Sequence, residues 1–381
     1  MSINTLLAGP VLRRMQSERI TLWLATSKPV QWRLALFPDK HDSQVHEIRG
    51  HCRELKVAEH FYVHLIDLPL SMPLPTDSWV GYELSYKNDT DGEWINLTQE
   101  SPHLLYPGKS TLGFVIHSRV QSVLHGSCRK PHYARQEGTS AGDGLVRADQ
   151  HLLELADTPT EWPALLMMGG DQIYTDDVAG PMLVAIHRLL DELNSPAEHL
   201  PGTQLETSHT LHREQPHYYT RDQLLPKTKA NKDIRAVLFT GVKKPVFTTD
   251  NARNHLISLA EVMAMYLLVW SPIPWRYTEM TIPVDVPTEF AERYEAQLEA
   301  MEEFVAELDC VHRLMAHIPV AMMFDDHDIT DDWNLSAEWE ATAYSEPFSR
   351  RIVGNALVAY LVCQAWGNAP ENFSDDMMSR C

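Results

Sequence analysis

Ala164-Leu165-Leu166-Met167-Met168-Gly169-Gly170-Asp171-Gln172-Ile173-Tyr174-Thr175-Asp176-Asp177 is a short apolar run that opens into two glycines and an acidic loop. Ala164 to Met168 reads as a buried strand. Two glycines after it let the backbone turn sharply, and an acidic side chain placed there projects into a cleft at the strand's carboxyl end. Upstream, Val120 to Leu124 reads as a strand running into Gly126-Ser127-Cys128, and Leu145 to Leu155 as a helix. Downstream, Ile318 to Phe324 is another apolar run ahead of a second acidic cluster. Alternating strand and helix predicts an α/β domain with its functional side chains on the loops that follow the strands.

The chain before this region has a different grammar. From Arg19 to about Tyr86 the apolar residues repeat with period two: Ile20, Leu22 and Leu24; Trp32, Leu34 and Leu36; Phe61, Val63 and Leu65; Val80, Tyr82, Leu84 and Tyr86. Turn-rich pieces such as Asn88-Asp89-Thr90-Asp91-Gly92 separate them. Successive short strands without helical patterns between them predict an antiparallel sandwich ending near residue 115. Pro181 to Pro319 is mostly helical, with helices expected over Leu183–Leu193, Asn254–Trp270 and Thr288–His317. In the last, Phe290, Tyr294, Leu298, Met301, Val305 and Leu308 make one apolar face, which is core packing. Residues 194–232 carry His209, His212 and His217 without regular ligand spacing and are expected to form a solvated loop.

With 381 residues, 44% of them hydrophobic, the chain can bury a sizeable core. Its 32 basic and 52 acidic residues leave a formal net charge of -20, which argues against a nucleic-acid-binding surface or an anionic-membrane footprint. A phosphorylated ligand must then be attracted locally, as bound cations in a small cleft would do. Five scattered cysteines suggest neither a disulfide scaffold nor a zinc finger. No apolar signal core follows Arg13-Arg14, and the longest apolar stretch, Val262 to Trp270, is far below the roughly 20 residues that cross a bilayer. A cytoplasmic protein without a membrane span is expected.

Three elements carry candidate chemistry. In Gly126-Ser127-Cys128-Arg129-Lys130-Pro131 the two cations are expected to favour the Cys128 thiolate, the metal-binding form; an incidental buried cysteine is the alternative. Asp171 is placed to bridge two cations, and Tyr174 to offer a phenolate that suits a strongly acidic metal such as ferric iron; a polar loop with an Asx-turn is the alternative. Positions 325 to 332 hold five aspartates and His327 directly after an apolar run. Like charges this close repel, so a metal site explains the cluster more economically than a solvated acidic loop.

Gly-Ser-Cys-Arg at 126–129, Gly-Asp-Gln-Ile-Tyr at 170–174, Asp-Asp-His-Asp at 325–328 and Asp331-Asp332-Trp333 resemble, in the same order, the motifs of PhoD-like alkaline phosphatases of the calcineurin-like metallophosphoesterase superfamily. The resemblance implies an N-terminal β-sandwich over residues 1–117 and an incomplete αββα metallophosphatase domain over 118–381, with a helical insertion at about 181–318. It implies hydrolysis of phosphate mono- or diesters, of small molecules or lipids, at a binuclear metal site. Cys128, Asp171 and Tyr174 would hold Fe3+. Asp171 and Asp326, with Asp331, would reach a second, harder cation such as Ca2+, other divalent cations being alternatives. His327 takes the position of the histidine that acts on the leaving oxygen, and Arg129 is placed to steady a phosphate oxygen.

The chain departs from that family in two ways. It has Asp331-Asp332 where members often have Asn-Asn before the tryptophan, and no Gly-Asp-x-His segment follows His327 before Cys381. The expectation is therefore a fragment of a longer enzyme or a truncated product. Two rivals stand beside the phosphoesterase: an inactive scaffold that keeps the fold, and a hydrolase with Cys128 as nucleophile, which needs a basic partner for the thiol.

Overall fold

The period-two stretches build antiparallel sheets in the computed structural model, which describes residues 3–39, 42–88, 92–132, 142–241 and 249–378. The chain runs through β1 (Leu6–Gln16), β2 (Arg19–Thr26), β3 (Gln31–Asp39), β4 (Asp42–Glu47), β5 (Cys52–Ala58), β6 (Phe61–Pro69), β7 (Trp79–Lys87), β8 (Ile95–Asn96), helix α1 (Leu97–Glu100) and β9 (Leu112–Val115). One sheet has the order β1-β2-β6-β5; the other has β4-β3-β7-β8, with β9 also paired to β7. Leu22, Leu24 and Ile66 of the first face Leu34, Leu36 and Leu84 of the second in one apolar core. The fold class thus joins antiparallel sheets to the parallel sheet described next.

That sheet has the order β10-β11-β12, made by β10 (Leu124–Gly126), β11 (Leu166–Gly169) and β12 (Val320–Met323). Leu124, Leu166 and Val320 are in register, as are Gly126, Met168 and Met322, so the three strands end within one residue of one another. Helix α2 (Gly144–Glu154) links β10 to β11. Helices α3 (Gly180–Glu192), α4 (Lys229–Phe239), α5 (Leu259–Trp270), α6 (Ala291–Ala306) and α7 (Leu308–Met315) lie between β11 and β12, and α8 (Ala337–Ser345) and α9 (Pro347–Tyr360) follow. Leu166, Met168, Val320 and Met322 are buried under helices, whereas Met167 and Met323 on the other face are exposed. No helix among the described residues is long and apolar enough to cross a membrane.

A second core joins the sandwich to the helices. The outer face of the first sheet, through Leu7, Trp23 and Val63, packs with Trp270, Leu314 and Trp366. Trp23 meets Trp270 edge-on at 5.4 Å and its indole N–H donates to the Val362 carbonyl at 3.0 Å. Trp23→Phe keeps most of the ring contact but removes this buried hydrogen bond, so unfolding in urea should show a loss of about 0.5–1.5 kcal/mol. An unchanged midpoint would mean that this joint contributes nothing to stability.

The structure corrects several sequence readings. The strand expected at Val120–Leu124 starts at Leu124, and Val120 and Val123 are exposed. The helix expected from Asn254 starts at Leu259, after Ser258, whose hydroxyl and the Glu261 carboxylate cap each other's backbone N–H groups. The helix expected over Thr288–His317 is broken at Glu307, which turns Leu308, Val311 and Leu314 of α7 into the shared core. Residues 194–232 are not a solvated loop throughout: His212, Tyr218, Tyr219 and Arg221 are buried, because Arg221 pairs with Glu261 in the interior at 2.6 Å.

Candidate metal centre

Because β10, β11 and β12 end nearly level, the loops that follow them meet. Gly170 makes the approach possible: a Cβ there would lie 2.5 Å from the Ser127 Cβ. The Arg129 N–H donates to the Asp171 carbonyl at 3.3 Å, and Cys128 takes a left-handed backbone with φ 60°. After β12 the chain makes a short turn over Asp326–Asp328, and the His327 N–H donates to Asp171 Oδ1 at 3.2 Å. Asp328 points inward. Its carboxylate accepts from Gln172 N at 3.0 Å, Tyr266 OH at 3.0 Å, Gln364 Nε2 at 2.9 Å and Asp325 N at 3.3 Å. It therefore anchors the turn from beneath, and burial pushes its carboxyl well above the ordinary range.

Three overlapping donor groups result. Cys128, Asp171 and Tyr174 line one cavity and lie close enough to perturb one another's protonation. Asp171, Asp326 and His327 bring one ligand atom each within 4.8 Å of one another, and Asp326, Asp331 and Asp332 do the same. Burial raises the Cys128 thiol and the Tyr174 phenol, and Asp171 beside them raises both further. The Asp171 carboxyl is pushed up by burial to about 6 although His327 pulls against it. Thiol, phenol and carboxyl donors whose anionic forms are all disfavoured by burial fit a strongly acidic cation, the one addition that stabilises all three anions at once.

The cations next to Cys128 do not supply that charge, contrary to the sequence expectation. Arg129 donates to Asp143 at 2.8 Å and to the Val269 carbonyl, and sits 4.4 Å over the Phe304 ring. Lys130 pairs with Asp177, which Asn251 and His132 also hold. Burial therefore dominates at the thiol.

Sequence reasoning missed the residue that fixes His327. Both carboxylate oxygens of Asp176 lie 3.0 Å from His327 Nδ1, and the ring stacks on Tyr174 at 4.7 Å. Burial opposes charging of the imidazole, but Asp176, with Asp171 and Asp326, raises it to about 9. Asp176 Oδ2 also accepts from Asp331 N at 3.0 Å and Thr249 Oγ1 at 3.3 Å. The available signal was a carboxylate five residues after Asp171 in the same loop, the third group that a working histidine requires.

A cavity of about 620 Å³ adjoins the donors and is lined in part by Cys128, Arg129, Asp171, Tyr174 and His327. A separate buried trio, His187, His212 and Glu261, also has ligand-like spacing. There the Arg221 guanidinium already provides the positive charge, with Nη2 2.6 Å from Glu261 Oε1 and 3.0 Å from His187 Nε2.

No family model matches the chain, and no curated protein matches it. A solved structure titled "Structure of PhoD" aligns over 94% of this chain at 10% identity with a TM-score of 0.36. The chain spans 46% of that structure's length.

Proposed function

We propose that this chain belongs to a metal-dependent phosphoesterase of the PhoD-like alkaline phosphatase type, which hydrolyses phosphate mono- or diesters at a binuclear centre. The observation that carries the reading is the gathering of Cys128, Asp171 and Tyr174 with Asp326 and His327 at the nearly level ends of three parallel strands. Iron held by Cys128, Asp171 and Tyr174, and calcium or another hard cation reached by Asp171, Asp326 and Asp331, would supply positive charge to the phosphoryl oxygens and acidify a water for in-line attack. The protein's own share of the chemistry is positioning and proton transfer. With Nδ1 held by Asp176, His327 has Nε2 left to hand a proton to the departing alkoxide as the P–O bond to the alcohol breaks. Arg129, braced by Asp143, is proposed to steady a phosphoryl oxygen from the cavity wall. The four cysteines among the described residues are free, which supports a cytoplasmic location.

A cysteine nucleophile is the weaker reading, because burial raises the Cys128 thiol and the groups that act on it, Ser127, Asp171 and Tyr174, include no histidine to take its proton.

Elemental analysis of the purified chain, run beside an aryl-phosphate assay, tests the proposal. Iron and a second cation should bind stoichiometrically, and Cys128→Ala should lose iron together with turnover. Wild-type metal content in both Cys128→Ala and Asp171→Ala would refute the centre. Full activity after metal removal would refute the mechanism.

A further inference from the structure

The cavity is much larger than a phosphoryl group needs. At about 620 Å³ it falls in the range of roughly 300–1,000 Å³ that accepts whole small molecules. Besides the donors, its walls include Leu166 and Met168 of β11, Leu145 and Ala148 of α2, and Ala300 and Phe304 of α6. None of these six side chains has a hydrogen-bonding N–H or O–H group. The lining also holds polar groups, Arg129, Asp143, Gln172 and Glu307 among them, with the Arg129 guanidinium 4.4 Å over the Phe304 ring. Against the six apolar side chains themselves a sugar or glycerol hydroxyl would lose water without a partner, whereas hydrocarbon would gain by leaving water. Arg147, His151 and Glu303 are exposed where the same cavity meets solvent.

We propose that this slot selects the alcohol part of the substrate, so that the preferred esters carry an aryl or alkyl body and not a polyhydroxylated one. The inference rests on the phosphoesterase reading and adds the substrate class to it. The phosphoryl group sits at the donor end, among Cys128, Asp171, Tyr174 and His327, and the apolar body extends along α2 and α6.

Binding of non-hydrolysable phosphonates to the metal-loaded chain, measured by isothermal titration, tests this without requiring turnover. Inorganic phosphate, methylphosphonate, butylphosphonate and octylphosphonate form the series, with a polyhydroxylated phosphonate of butyl length as the polar control. Affinity should rise from methyl to butyl by at least tenfold, about 1.4 kcal/mol, and the polar control should bind no better than methylphosphonate. Ala300→Phe and, separately, Ala148→Phe should bring the butyl-to-methyl ratio close to one by filling the slot. A flat series, or a rise that both variants leave intact, overturns the slot while the phosphoesterase reading stands. If no probe binds, inorganic phosphate included, that reading falls and the slot proposal with it.

Discussion

Asp176→Asn should lower kcat for aryl-phosphate hydrolysis by about 10²–10⁴, the range that a positioned proton donor contributes. The expectation comes from geometry. Asp176 gives His327 Nδ1 two oxygens at 3.0 Å, which fixes the ring over Tyr174 and keeps a proton on Nδ1. An asparagine of the same shape carries no negative charge, so it removes the largest influence that keeps the imidazole protonated and able to give up a proton from Nε2. A double-mutant cycle separates this from simple loss of structure. If Asp176 acts through His327, then Asp176→Asn in a His327→Ala background costs almost nothing further. Because Asp176 also accepts from the Asp331 N–H and from Thr249, metal content must be measured in each variant. Additive losses with normal metal content would show that Asp176 does not act as the histidine's orienting group.

The contrast between Asp171 and Asp176 shows what was legible in the sequence and what was not. Asp171 stands directly after an apolar run and two glycines, so local rules place it at a strand end. Its grouping with Cys128 and Tyr174 then follows from parallel strands that end nearly level. Asp176 lies in the same loop, but its role depends on where a side chain turns beneath a residue 151 positions away. Arg129 and Lys130 were misread for the same reason. Their charges are local to Cys128 in sequence, yet tertiary folding assigns them to Asp143 and Asp177.

The fold divides similarly. Strands with clear alternation, such as β3 and β7, were readable. β1 was not, because register shifts between Leu6 and Ala8, Ala8 and Val11, and Leu12 and Met15 interrupt its period, and most of the strand is buried on both faces. The break between α6 and α7 is invisible to a three-to-four repeat that continues through it. Only the different targets of the two apolar faces reveal it.

Arg221→Met should destabilise the protein by about 3–5 kcal/mol in urea unfolding, because it strands a buried carboxylate. Glu261 and Arg221 are fully buried; Arg221 donates to Glu261 Oε1 at 2.6 Å and to Oε2 at 3.2 Å. Oε2 also accepts from the Ile257 and Ser258 N–H groups at 2.8 and 3.0 Å, so the carboxylate ties the start of α5 to the segment around 221. Burial would raise the Glu261 carboxyl, but Arg221, with His187 and His212, holds it well below its ordinary 4.5. A depressed carboxyl contributes stability above its unfolded value and loses it as pH falls through the folded one. The wild-type chain should therefore lose this contribution on acidification. Replacing both partners, in Arg221→Met with Glu261→Leu, removes the stranded charge and should recover much of the loss, since two apolar groups avoid the desolvation cost. A double variant as unstable as the single one would show that the hydrogen bonds to Ile257 and Ser258, not the charge pair, hold this region together.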